Sequence, residues 1–118
     1  MIFHITSRTA WTEAQTKGEY TAPSLVTEGF IHCSTLSQVL PVANSYYAGQ
    51  AGLIVLAIEP ALLSSALKWE PPSGGAPPPG VPEGEMFPHI YGPVNLNAVV
   101  KAIELELNSN GIFTLPDL

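Results

Sequence analysis

The chain has 118 residues, of which 46% are hydrophobic and 12% charged, a balance typical of one globular domain and not of a disordered segment. Ten acidic residues against four basic ones give a formal net charge of −6 at pH 7. Nucleic acids and anionic membranes are bound through clustered Lys and Arg, so neither is an expected partner of this chain. The expected partner is a small molecule.

The expected compartment is cytoplasmic. Cys33 is the single cysteine, so an internal disulfide is excluded and a reducing environment is the simpler assumption. The first residues show no signal-peptide pattern, and no apolar run approaches the ~20 residues needed to cross a bilayer. We therefore expect residues 1–118 to form one intracellular domain.

The first half of the chain predicts two core strands, each followed by a helix. Residues 2–6 are apolar and β-branched, and the helix after them has Ser7 or Thr9 as a cap and Gly18 as its end. Residues 30–34 predict the second strand. The next helix begins at a capping-box pattern and runs to about Tyr47. Pro41 lies past its first turn, which predicts a late start or a kink.

The second half predicts further strands around one long loop. The continuous apolar run 53–59 is typical of a strand buried on both faces, and a short helix is expected at 61–66. Prolines and glycines fill residues 71–84, which predicts an exposed loop outside the core. The remaining expectations are extended segments at 67–70 and 88–91, a strand over 99–107 and a tail over 108–118. Without a regular βαβ rhythm, this pattern indicates an α+β fold.

The candidate functional residues begin with the three histidines, His4, His32 and His89. Each lies in or beside an apolar extended segment, where a lone histidine is usually a hydrogen-bonded core residue. Three in the same setting predict that they face one pocket. Imidazole titrates near neutrality, so such a pocket suits acid/base chemistry or ligand binding.

The residues that follow His32 divide between the two faces of its strand. Ser34 shares the face of His32, whereas Cys33 faces the other way and is expected to be a buried, inert thiol. Thr35 lies at a helix N-terminus, where hydroxyl and N–H groups can receive a phosphate, although plain capping is the alternative.

Two further candidates lie at either side of the Pro/Gly-rich loop. Glu70 ends a strand before two prolines, so its carboxylate is either held in a site or simply at the surface. Tyr91 belongs to a segment dense in rigid and aromatic residues, which is either a pocket wall or core. No nucleophile elbow, phosphate-binding glycine loop or zinc-ligand spacing is present.

Several blocks of the sequence resemble one bacterial family. The two most specific blocks are GFIHCST at 29–35 and FPHIYGP at 87–93, and the likeness runs from residue 2 to about residue 100. They resemble the domain-of-unknown-function family nine-five-two. That resemblance implies an ADP-ribosyltransferase-like fold, in which two small, mostly antiparallel sheets surround a cleft with flanking short helices.

The resemblance also implies NAD as a cofactor and ADP-ribosyl-transfer chemistry. By this likeness His4 and His32 would hold the ribose and diphosphate, and Glu70 would stabilise positive charge at the ribose carbon. These three are the expected catalytic residues; the expected cofactor-binding residues are Thr6, Ser34, Thr35, His89 and Tyr91. Arg8 is the one candidate for a pyrophosphate-binding arginine.

Two other functions fit the same residues. The histidines with Glu70 are ordinary ligands for zinc or iron, so a metal-binding protein is one alternative. The other is a small-molecule-binding domain without catalysis.

Overall fold

The structure is a computed structural model that describes residues 1–116, so the last two residues of the expected tail lie outside the described part. The helices are α1 (Arg8–Lys17), α2 (Ser24–Thr27) and α3 (Leu36–Tyr46), with 3-10 turns at Pro60–Leu62 and Leu96–Ala98. The strands are β1 (Ile2–Ser7), β2 (Glu19–Tyr20), β3 (Ile31–His32), β4 (Leu53–Ile58), β5 (Ala66–Glu70), β6 (Phe87–Tyr91), β7 (Val94–Asn95), β8 (Val99–Glu104), β9 (Glu106–Leu107) and β10 (Phe113–Thr114).

The first sheet has the antiparallel strand order β1-β4-β8 and lies between two hydrophobic clusters. Its central strand β4 is buried along its whole length. Leu56 packs in one cluster while Val55 packs in the other, as side chains that alternate between faces must. The prediction of a strand buried on both faces is confirmed.

The second sheet has the antiparallel order β3-β6-β5, and two-stranded ribbons join β2 to β7 and β9 to β10. In the register of β3 with β6, His32 lies directly opposite His89. Side chains opposite each other project from the same face of a sheet, so this pairing brings two of the three histidines together. The α+β class is confirmed, with two ribbons in addition to the two expected sheets.

A single β-bridge joins the two sheets. The N–H of Phe3 donates to the carbonyl of Ser34 at 2.8 Å, and the N–H of Ser34 donates back to Phe3 at 2.7 Å. Because of this bridge, the predicted strand at 30–34 is shorter than expected. Only Ile31 and His32 pair with β6; the N–H of Cys33 still donates to the carbonyl of Pro88 at 3.0 Å, and the chain then turns to β1 at Ser34.

The helices begin where the sequence predicts. Ser7 caps α1 by accepting from the N–H of Ala10 at 3.0 Å, and the N–H of Thr35 donates to Oε1 of Gln38 at 2.9 Å at the start of α3. The late start expected from Pro41 is wrong, since α3 already runs from Leu36 and carries Pro41 inside it. The capping interactions fix the first turn before the proline is reached.

Two other segments differ in the structure from what the sequence predicts. The helix expected at 61–66 is only the 3-10 turn Pro60–Leu62, because Ala66 is taken into β5, where it pairs with Tyr91. The tail expected from residue 108 packs as structure through residue 114. Phe113 is buried there, and its N–H donates to Oδ1 of Asn44 on α3 at 2.8 Å.

The Pro/Gly-rich loop has neither helix nor strand and is mostly exposed, yet it is anchored. Pro78 and Val81 are buried, so the expectation that the loop lies outside the core is wrong for these two residues. The buried amide of Gln38 donates to Glu85 at 2.9 Å and to the carbonyl of Met86 at 3.0 Å, which fixes the end of the loop against α3. No helix within residues 1–116 is long and apolar enough to span a bilayer.

We expect Val81→Ala to destabilise the protein by about 1.5 kcal/mol, the transfer free energy of two buried methyl groups. A fall in the denaturant midpoint at unchanged slope would measure this loss. Glu83→Ala, an exposed change in the same loop, is the matched control and should leave the midpoint in place. Equal midpoints for the two variants would show that Val81 does not anchor the loop.

Candidate functional site

One cavity of about 680 Å³ opens where the two sheets meet, a size typical of small-molecule sites. β1, the first turn of α1, β2, β3, α3 and the Pro/Gly-rich loop all contribute to its wall. All three histidines line it. The expected site residues found in the wall are His4, Thr6, His32, Ser34 and His89.

His4 is buried and held at both ring nitrogens. Its Nδ1 lies 2.5 Å from the carbonyl oxygen of His32, and its Nε2 lies 2.7 Å from the hydroxyl of Tyr20. A carbonyl can only accept, so Nδ1 carries the proton and Nε2 accepts from Tyr20. Burial lowers the pKa of His4 to about 4, so the imidazole is neutral at pH 7. This side chain therefore connects β1 to β3 without carrying charge.

Tyr20 extends that hydrogen-bond chain to Thr6. The two hydroxyl oxygens are 2.9 Å apart, and burial raises the pKa of Tyr20 to about 12. The phenol thus stays protonated at neutral pH. No local pattern points to Tyr20 as a site residue, because its strand has only two residues and its partner strand is far along the chain.

His89 is buried against the carboxylate of Glu70. Its Nδ1 lies 2.8 Å from Oε1 of Glu70, which also accepts from the hydroxyl of Tyr91 at 2.5 Å. Phe30 stacks on the His89 ring with centroids 4.1 Å apart. Within residues 1–116 no hydrogen-bond partner contacts Nε2 of His89, and this residue lines the cavity.

His32 forms a second pair of the same kind, nearer to solvent. Its Nε2 lies 2.9 Å from Oε2 of Glu28, and 42% of its side chain is exposed. Ser73, in the Pro/Gly-rich loop, donates to the other oxygen of Glu28 at 3.1 Å. The rings of His32 and His89 are 5.5 Å apart, so two imidazoles, each with its own carboxylate, lie side by side.

Three of the expected residues do not line the cavity. Thr35 serves α3 as its cap, so the plainer of its two interpretations holds. Glu70 and Tyr91 bond to each other on the far side of His89. Glu70 therefore contacts the cavity only through the imidazole of His89. The Nζ of Lys68 lies over the ring of Tyr91, 4.8 Å from its centroid.

The remaining candidate chemistries find less support in this geometry. No group of three or more His, Cys, Asp or Glu among residues 1–116 is arranged to hold a metal ion. Cys33 is buried, as predicted, and desolvation raises its pKa well above the ordinary range. A thiol in that state is a poor nucleophile.

Glu28 and Phe30 are functional candidates that the sequence analysis missed. The position of Glu28 four residues before His32 suggests a contact only if the chain is helical there. Gly29, with φ near +88°, instead turns the chain so that Glu28 faces the imidazole. The weak signal for Phe30 was its place beside His32 in an apolar segment.

Fold and site together define a small α+β domain with one histidine-lined cavity. The sequence matches the family described as "Protein of unknown function (DUF952)" over residues 5–102, and the chain belongs to that family. No protein with a curated description matches it.

Solved structures of one bacterial protein are similar to this chain. A crystal structure of protein CC0527 from Caulobacter crescentus is 32% identical, with a TM-score of 0.79, and the match covers 96% of this chain and 92% of that one. The solution NMR structure of CC0527 is 34% identical with a TM-score of 0.75, covering 94% and 89%. These likenesses assign neither an activity nor an ADP-ribosyltransferase fold.

We expect the free energy of unfolding to fall by up to about 3 kcal/mol between pH 6.5 and pH 4 because of His4. Its folded pKa lies below its unfolded pKa, so the unfolded chain takes up the proton first and acid favours unfolding. Denaturant melts of wild type and His4→Gln at pH 6.5 and pH 5 should show a weaker pH dependence in the variant. Parallel curves would contradict the prediction, as would an NMR titration in which the His4 ring protonates near pH 6.5.

Proposed function

We propose that the cavity binds a small organic molecule and catalyses proton transfer on it, with His89 as the general base. The observation that carries this proposal is the bond between Nδ1 of His89 and Glu70, which leaves Nε2 without a partner at the cavity wall. A carboxylate can only accept, so the proton of the neutral imidazole lies on Nδ1. Nε2 then presents a lone pair to any ligand in the cavity.

The charge behind the imidazole supports this role. Hydrogen bonds from Tyr91 and then His89 hold the pKa of Glu70 below its usual range, so this group is a carboxylate at neutral pH. A fixed negative charge next to Nδ1 stabilises the imidazolium that forms when Nε2 takes a proton. Glu70 thus acts as a positioning residue through His89.

His32 supplies a second proton-transfer group beside the first. Its Nε2 faces Glu28, so its Nδ1 is the nitrogen left for a ligand. When one imidazole of such a pair is protonated, it can donate while the other accepts, which serves reactions that need an acid and a base together. The 5.5 Å between ring centroids is short enough for one small molecule to contact both.

NAD is the ligand that the ADP-ribosyltransferase resemblance predicts, and it is the second candidate. The presence of His4, Thr6 and Ser34 in one cavity wall supports it. The expected action of Glu70 on the ribose carbon does not fit, because His89 lies between that carboxylate and the cavity. NAD is therefore tested separately, by release of nicotinamide.

The test of the general base uses ethyl dichloroacetate, a small uncharged ester whose hydrolysis imidazole catalyses by taking a proton from the attacking water. We expect His89→Gln to lower the protein-dependent hydrolysis rate by about 100-fold, the usual size of a lost general base. Glu70→Gln should lower the rate less, by about tenfold, because the imidazole remains but loses its charged partner. Glu83→Gln is the control for the change of charge.

Each outcome has a definite meaning. Melting curves must show that both variants fold. Because the Glu70 side chain is partly exposed and that of His89 is buried, Glu70→Gln should disturb folding less than His89→Gln. Hydrolysis no faster than with free imidazole, or equal in wild type and both variants, would refute the general base. Nicotinamide release that requires His89 would identify NAD as the substrate.

A further inference from the structure

The cavity wall has an unusual charge inventory for a nucleotide site. Among the described residues that line it there is no Lys and no Arg, and Glu28 is the one carboxylate. His4 is neutral at pH 7, since burial lowers its pKa to about 4. The permanent charge of the wall is therefore negative.

The four basic side chains of the chain lie elsewhere. Arg8 pairs with Glu104 across the outer surface, and Lys68 lies over the ring of Tyr91. Lys17 is exposed in the last turn of α1, and Lys101 is exposed on β8. None of them is part of the cavity wall, so no side chain there neutralises a phosphate.

The N-terminus of α1 is a further source of positive potential at the wall. Ser7 and Ala10 line the cavity there, but the Ser7 hydroxyl already accepts from the N–H of Ala10. A helix N-terminus with this N–H already bonded has fewer free donors for an anion than an uncapped one. The net charge of −6 adds a field that repels anions from the whole surface.

The rest of the wall is suited to an apolar body. Phe3, Leu53 and Phe87 are buried apolar residues of the cavity wall, and Val42 adds to them from α3. Desolvating a phosphate against such a surface is costly, whereas a ring gains from the contact. Polar side chains line the rest of the wall, and among them are the three histidines, Tyr20 and several Ser and Thr hydroxyls.

We infer that the substrate is an uncharged or cationic organic molecule with a ring-sized apolar body, and that the cavity discriminates against phosphorylated compounds. The inference rests on the proposed function, because it names the substrate class of the same site. In this arrangement the apolar body packs on Phe3, Leu53 and Phe87. The reacting polar group then meets the imidazoles of His32 and His89.

The experiment compares three ligands with the same ring and different charge: benzyl alcohol, benzylamine and benzyl phosphate. Their binding is followed by amide chemical shifts at the cavity residues Thr6 and Ser34, measured on the full chain at pH 7.5. We expect the alcohol and the amine to shift these amides, with benzyl phosphate at least about tenfold weaker. Raising the salt concentration should narrow this gap.

A matched pair of variants tests whether the charge of Glu28 causes the weaker binding of benzyl phosphate. Glu28→Gln removes the carboxylate from the wall and should raise the affinity for benzyl phosphate relative to benzyl alcohol. Glu83→Gln removes the same charge from the exposed loop and should leave the ratio unchanged.

A failure of the substrate class can be distinguished from a failure of the proposed function. Benzyl phosphate binding as tightly as the alcohol, or an equal response of the two variants, would overturn the substrate class while ligand binding in the cavity stands. Amides that respond to none of the three ligands would overturn both the proposed function and this inference.

Discussion

The site depends on the contact that ties β1 to the segment after β3. Two backbone hydrogen bonds between Phe3 and Ser34 join the sheets, and Nδ1 of His4 adds a third bond to the carbonyl of His32. β3 has only two paired residues on its other side. Without the bonds to β1, little else would fix the direction in which His32 points, because so short a strand has few ladder bonds of its own.

The same contact explains why His4 has to be neutral. Its ring is enclosed between two strands, where a charged imidazole would have to be desolvated. One nitrogen donates to a carbonyl and the other faces a phenol, so both polar atoms are satisfied without charge. His4 thus belongs to the frame of the cavity, whereas His32 and His89 each keep one ring nitrogen without a hydrogen-bond partner among residues 1–116.

The sequence predicts the parts of this arrangement that depend on local patterns. The apolar run of β4, the caps of α1 and α3 and the alternation of β8 follow from residue order alone. The shared setting of the three histidines also pointed to one pocket. Pairing registers are different, because no local pattern states that His32 lies opposite His89 or that Ser34 meets Phe3. Glu28 and Tyr20 were missed for that reason, since each enters the site through a contact with a residue on another element or across a turn.

The position of Glu70 shows the same limit of local patterns. A strand end leaves open whether the side chain lines the cavity, and its hydrogen bonds to Tyr91 and His89 hold the carboxylate outside the cavity wall. A carboxylate in the cavity would act on a substrate directly. Behind an imidazole, it fixes the tautomer and stabilises the imidazolium instead. Glu28, by contrast, lies in the cavity wall itself, beside His32, and no Lys or Arg among residues 1–116 lines that wall. Under the function we propose, Glu70 would act on the reaction through His89, whereas Glu28 adds negative charge to the wall and disfavours a phosphate there.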